Sequence, residues 1–151
     1  MAITFGYKAS AEQFDPRTLL ELSVQAAESG LETVAVSDHF QPWRHDGGHA
    51  PSVFPWLGAL VTAAPGATVG TSVLTPTLRY HPSVVAQAFA TLGCLAPGRV
   101  WLGVGTGESL NETPATASDF PGVKERRMRL AEALKLIRRL WSEERVTFDG
   151  E

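Results

Sequence analysis

The residues whose types and spacing suit chemistry fall in three short segments. In Ser37-Asp-His-Phe-Gln-Pro-Trp43 a carboxylate and an imidazole stand side by side, directly after the apolar run Thr33-Val-Ala-Val36. An imidazole tuned by a neighbouring carboxylate suits proton transfer near neutral pH. The Asp38–His39 pair fits equally the plain task of capping a strand end. His45 and His49 follow, but the intervals match no standard zinc spacing and no Cys is near, so no metal is expected. In Leu102-Gly-Val-Gly-Thr-Gly-Glu-Ser109 the alternating glycines would let a ligand approach the backbone closely at a strand end, with Thr106 and Glu108 beside it. They would serve a tight strand exit just as well. The spacing is G-x-G-x-G and not G-x-G-x-x-G, and Asn111, Thr113 and Pro114 read as a loop, which argues against a classical nicotinamide site. The third segment, Thr71-Ser-Val-Leu-Thr-Pro-Thr77, places hydroxyls, Thr75 among them, around a turn at Pro76.

Other residues carry less. Trp43 stands in a polar stretch and could cover a planar ligand, whereas Trp56, Trp101 and Trp141 read as core or rim aromatics. Cys94 has no activating base beside it in sequence and reads as a small buried apolar residue. The last helix holds Arg126, Arg127, Arg129, Arg138 and Arg139 together with Glu125 and Glu132, the pattern of a solvated, mixed-charge face.

These segments must be positioned by regular elements, and the pattern supplies them. A short apolar run followed by a helical pattern recurs four times: Ile3–Tyr7 with a helix from Pro16 to Gly30, Thr33–Val36 with about 52–64, Ala67–Leu74 with 83–95, and Arg99–Val104 with about 124–142. Asp15 and Pro16 suit an N-cap and first helical position, and Leu130, Leu134, Ile137 and Trp141 form one stripe. Long polar loops join 37–51 and 105–122. Such a rhythm predicts a parallel α/β architecture of TIM-barrel type, in which the loops leaving the carboxyl ends of the strands converge on one rim. Asp38, His39, Thr75, Thr106 and Glu108 all fall there. A complete barrel needs about 250 residues, so residues 1–151 are expected to be the amino-terminal half of a single barrel domain, with about four of its eight units.

Composition narrows the class further. There are 151 residues, 13 Lys+Arg against 16 Asp+Glu, a net charge of -3 and 44% hydrophobic residues, as in an ordinary globular domain. A mildly acidic chain offers no general attraction to nucleic acid or anionic membranes. One cysteine excludes a disulfide framework. No apolar run approaches the roughly 18 residues of a membrane helix, and Met1–Gly6 lacks a charged leader, so the expected location is the cytoplasm.

Taken in register, Tyr7-Lys-Ala-Ser-Ala-Glu-Gln-Phe14, Ser37-Asp-His-Phe-Gln-Pro-Trp-Arg44, Gly47-Gly-His-Ala-Pro51, Thr71-Ser-Val-Leu-Thr-Pro-Thr77 and Gly103-Val-Gly-Thr-Gly-Glu-Ser-Leu-Asn-Glu112 resemble the F420-dependent glucose-6-phosphate dehydrogenases. These belong to the luciferase-like superfamily of barrels. The resemblance implies a homodimeric oxidoreductase that moves a hydride from carbon 1 of glucose 6-phosphate to the deazaflavin of coenzyme F420, giving 6-phosphogluconolactone. It implies coenzyme contacts at Asp38, Thr75, Thr106, Gly107 and Asn111, and a proton-transfer pair, His39 and Glu108, whose individual roles stay open. Trp43 would pack against the bound ligands and Glu12 would lie in the same pocket. A non-proline cis bond would join Ser72 and Val73. The family's phosphate-binding residues lie in the half absent from these 151 residues. F420-dependent oxidation of another alcohol or a hydroxy lipid, and a chain inactive by itself, are the alternatives.

Overall fold

The computed structural model describes residues 3–150; Met1, Ala2 and Glu151, which enter the expectations about a leader and about the chain's end, lie outside them. Four strands, β1 (Gly6–Ala9), β2 (Thr33–Val36), β3 (Thr68–Thr71) and β4 (Val100–Trp101), form one parallel sheet in chain order. Between and after them run α1 (Pro16–Glu28), α2 (Val53–Ala63), α3 (Pro82–Leu95), α4 (Ser109–Thr116) and α5 (Val123–Ser142). Parallel neighbours need crossovers long enough for a helix, and each strand exit is therefore followed by one. This is the expected α/β fold, with four of the strands of an eight-stranded barrel.

Alternation along the strands separates two faces. Tyr7, Ala9, Val34, Val36, Val69 and Val100 turn toward the helices and pack with Leu19, Leu57, Leu60, Val85, Phe89, Leu92 and Ile137. Burying each large side chain contributes about 1.5–3 kcal/mol, so this layer holds the sheet. Gly6, Lys8, Thr33, Ala35, Thr68, Gly70 and Trp101 alternate onto the other face, the lumen side of a barrel. Asp15 caps α1 by accepting from the amides of Arg17 and Thr18 at 3.0 and 3.2 Å, with Pro16 at its first turn as expected. Trp141 Nε1 donates to the Ala86 carbonyl at 2.9 Å and ties α5 to α3.

Three differences from the sequence reading have physical causes. Strand β1 starts at Gly6 and not at Ile3, because pairing with β2 begins at Gly6–Thr33; Ile3 and Phe5 are exposed. Regular pairing of β3 ends at Thr71, ahead of the cis Ser72–Val73 bond, and resumes as a single Leu74–Val104 bridge. Part of the expected loop 105–122 is the helix α4, despite Pro114 inside it. Proline removes the N–H that would bond the carbonyl four residues back, and that carbonyl, on Leu110, accepts instead from Gln41 Nε2 at 2.6 Å. Cys94 also departs from expectation: it is exposed, because it lies near the end of α3 away from the face that Leu92 buries. Among the described residues no helix is long and apolar enough to cross a membrane.

Candidate active site

The β2 exit carries the first cluster. Asp38 is buried beside Arg79, whose Nη2 donates to the Asp38 carboxylate at 2.9 Å and to its carbonyl at 2.8 Å. The Arg79 Nε donates to Glu112 of α4 at 3.2 Å, and the Tyr80 hydroxyl donates to the other Asp38 oxygen at 3.2 Å. The side chains of Asp38, Arg79 and Glu112 are 1%, 8% and 4% exposed. Burial pushes both carboxyls above their ordinary range, while the guanidinium pulls them back. Burial and the Asp38 charge push the Tyr80 phenol up to about 12. One arginine thus joins the exits of β2 and β3 to α4.

The second cluster has the same plan with an imidazole at its centre. His39 Nδ1 is hydrogen-bonded to Glu12, from the turn after β1, and Nε2 stands 3.6 Å from the Glu108 carboxylate after β4. Here the side chains are more open, 22% for His39 and 45% for Glu108. Burial pushes the His39 pKa below its ordinary value; the Glu108 charge opposes this, and the Lys8 and Arg79 cations add to it. Trp43 stacks on the imidazole with centroids 6.0 Å apart and is 66% exposed, as a cover over the site would be. The loop that carries it is anchored by His49 N donating to the Glu12 carbonyl at 3.1 Å.

Asn111 ties the chain that follows His39 to Glu108. Its Oδ1 accepts from the amides of Phe40 and Gln41 at 2.6 and 3.0 Å, and its Nδ2 donates to Glu108 at 2.5 Å. Beside it, Gly107 has φ +82°, and a Cβ there would stand 3.1 Å from Glu112 and 3.2 Å from the Thr75 methyl. A Cβ on Gly105 would come within 2.7 Å of Val73, whose apolar side chain is 46% exposed on this polar rim. The rim therefore offers a bare backbone and an apolar patch beside charged groups, a surface that suits a flat ring with polar edges. A cavity of about 400 Å³ opens next to Asp38, His39, Arg79 and Tyr80. No three His, Cys, Asp or Glu among the described residues are grouped as metal ligands, and His45 and His49 join no such cluster.

A model of the luciferase-like monooxygenase family matches residues 2–151. The chain belongs to that family. Within it, the chain is 62% identical over 149 residues to an F420-dependent glucose-6-phosphate dehydrogenase of Kineococcus radiotolerans and 63% identical over 148 residues to one of Beutenbergia cavernae. Those alignments take in 99% and 98% of this chain and 44% of each relative. A solved F420-dependent secondary alcohol dehydrogenase, in complex with an F420-acetone adduct, superposes with a TM-score of 0.96 at 41% identity, over 100% of this chain and 46% of that one. The chain thus spans under half the length of these luciferase-like relatives.

The structure brings Glu12, Asp38, His39, Trp43, Thr75, Thr106, Gly107, Glu108 and Asn111 to the strand exits on one rim. Sequence reasoning missed Arg79, Tyr80 and Glu112, which lie in irregular segments without periodicity to pair them. It also placed Arg126 on a solvated face. That is corrected: Arg126 Nη1 donates to Thr106 Oγ1 at 2.9 Å and its Nε to the Pro121 carbonyl at 3.0 Å, with its guanidinium 4.4 Å from the Phe120 ring. A residue in the first turn of α5 can reach back to the rim, and only the Phe120–Pro121 lead into that helix hinted at it.

Proposed function

We propose that this chain is the amino-terminal half of one barrel domain and supplies the coenzyme rim and proton-transfer residues of an F420-dependent glucose-6-phosphate dehydrogenase. The observation that carries this reading is the imidazole of His39 held between two carboxylates on a rim that also presents Val73, Gly105 and Gly107. The substrate and coenzyme are supported by relatives at 62–63% identity that carry that name. Oxidation of a secondary alcohol is the second reading, favoured by the 0.96 superposition at the lower identity of 41%. In the proposal the complete enzyme is a cytoplasmic homodimer.

Asp38, Thr75, Thr106, Gly107 and Asn111 would hold coenzyme F420, whose deazaflavin ring accepts a hydride when bound. Val73 would lie against the ring, and Trp43 would cover the substrate. Glu12, accepting from Nδ1–H, fixes the tautomer of His39 and leaves the Nε2 lone pair facing the rim. That nitrogen takes the proton of the substrate hydroxyl as the hydride leaves the same carbon, so an alcohol becomes a carbonyl, or a lactone in a sugar. Glu108, 3.6 Å away and oriented by Asn111, stabilises the imidazolium and receives the proton onward.

The test is a fluorescence titration of coenzyme F420 with the purified chain. Saturable one-to-one binding is expected, weakened about tenfold or more when Val73→Asp puts a carboxylate on the ring's surface, a loss of about 1.4 kcal/mol. No binding by a folded chain would overturn the claim that these units hold the coenzyme rim.

A further inference from the structure

Asp38, the residue before His39, has both backbone polar groups engaged. Its amide donates to the Val73 carbonyl at 3.2 Å, and its carbonyl accepts from Arg79 Nη2 at 2.8 Å. That carbonyl belongs to the planar peptide leading into His39, so its direction helps to set where the imidazole projects. The same Nη2 donates to the Asp38 carboxylate at 2.9 Å, which fixes the guanidinium against the β2 exit. On its other edge, Nε donates to Glu112 at 3.2 Å. One buried, planar group therefore spans from the residue before His39 to α4. Helix α4 in turn places Glu108, the other half of the proton-transfer pair. Glu108 is its N-cap residue, and the Glu108 carbonyl accepts from the amides of Asn111 and Glu112 at 3.2 and 3.0 Å. The Asn111 side chain donates to the Glu108 carboxylate, and both Asn111 and Glu112 are buried.

We propose that Arg79 is a positioning residue for the proton-transfer pair: by gripping the Asp38 carbonyl and Glu112 at once, it sets the separation of His39 from Glu108. This deepens the proposed function and rests on it only for the use made of that pair. Charge alone would not suffice for the task. Guanidinium is a rigid fork whose donors point in fixed directions, whereas a lysine ammonium is a point charge on a flexible stem and cannot span the two grips.

The separation can be read as the electrostatic coupling of the pair, since the effect of Glu108 on the imidazole falls with distance. The charged groups around His39 are Glu12 from the turn after β1 and Glu108 from the β4 exit, with the cations of Lys8 and Arg79 farther out. A double-mutant cycle changes Glu108 alone within each background, so the contributions of the other three cancel.

The test is an NMR titration of the His39 ring, without coenzyme, with and without Glu108→Gln in the wild-type chain and in Arg79→Lys. In the wild-type background, removing an anion 3.6 Å from Nε2 is expected to lower the His39 midpoint by about one pH unit. In Arg79→Lys, which keeps the charge and loses the fork, the same substitution is expected to lower it by less than about half as much. An equal effect in both backgrounds, whether large or absent, overturns the proposal. It would leave Arg79 a purely structural residue, which lowers the melting temperature without touching the pair. Should Arg79→Lys fail to fold, Glu112→Met, which cuts the tie to α4 and leaves Arg79 on Asp38, is read in the same way. Because no coenzyme is present, failure here is separate from failure of the F420 titration.

Discussion

Two clusters share the rim and have one plan, a cationic or basic centre between two carboxylates. Arg79 sits between Asp38 and Glu112, and His39 between Glu12 and Glu108. They differ in burial and in the chemistry of the centre. Guanidinium keeps its proton at any working pH, so the buried Arg79 exchanges no proton and braces the residues around it. Imidazole can lose its proton near neutrality, and the His39 cluster is open enough for a ligand to reach Nε2. The same arrangement thus serves as a brace in one place and, in the proposed function, as a site in the other, where Asn111 ties the chain after His39 to Glu108.

Breaking the brace should have the largest effect. Arg79→Met leaves two buried carboxyls facing no cation, and removing one partner of such a pair costs about 3–5 kcal/mol. A fall of about 10 °C in melting temperature is expected for a chain of this size, read by calorimetry. A change of only a degree or two would put Arg79 among ordinary surface residues. Asn111→Ala should fall between the clusters in effect. It strands the amides of Phe40 and Gln41 and frees Glu108, at about 1–3 kcal/mol in urea unfolding.

His39→Gln should cost least in stability, within about 1 kcal/mol. Its signature is in pH. The folded ring has a lowered pKa, so the unfolded chain takes up its proton first as pH falls. The stability linked to His39 is therefore present above about pH 6.5 and lost as pH falls through the lower folded value. Asp38 and Glu112, with raised values, act in the opposite sense, their contribution being lost as pH rises through the folded pKa. The difference between wild type and His39→Gln isolates the imidazole. An identical pH slope in both would show that His39 is not held in the uncharged form.

Much of this was legible in the sequence, and for a physical reason. Strands alternate with helices at a period that places Asp38, Thr75, Thr106 and Glu108 at strand exits, and exits of a parallel sheet share one rim. The resemblance in Tyr7–Phe14 supplied Glu12, which spacing does not connect to His39. The brace stayed hidden. Arg79 and Tyr80 follow Pro76 in an irregular segment, and no local rule says that an arginine there meets Asp38 41 residues earlier. Helix α4 was masked by Pro114, whose cost is offset by a side chain from a distant loop. Arg126 looked solvated because a helical pattern shows which face is polar, not what lies beside its first turn. Cys94 looked buried because α3 is apolar on more than one side, with Val84 and Leu95 also exposed.

The central claim is that the open cluster moves a proton while the closed one does not. The most direct test joins this chain to the remainder of the Beutenbergia cavernae relative and measures reduction of coenzyme F420 by glucose 6-phosphate, with and without His39→Gln. The account predicts a loss of about 10²–10⁴-fold in kcat, with coenzyme affinity retained. A folded His39→Gln protein that binds the coenzyme and turns over at the wild-type rate would contradict it.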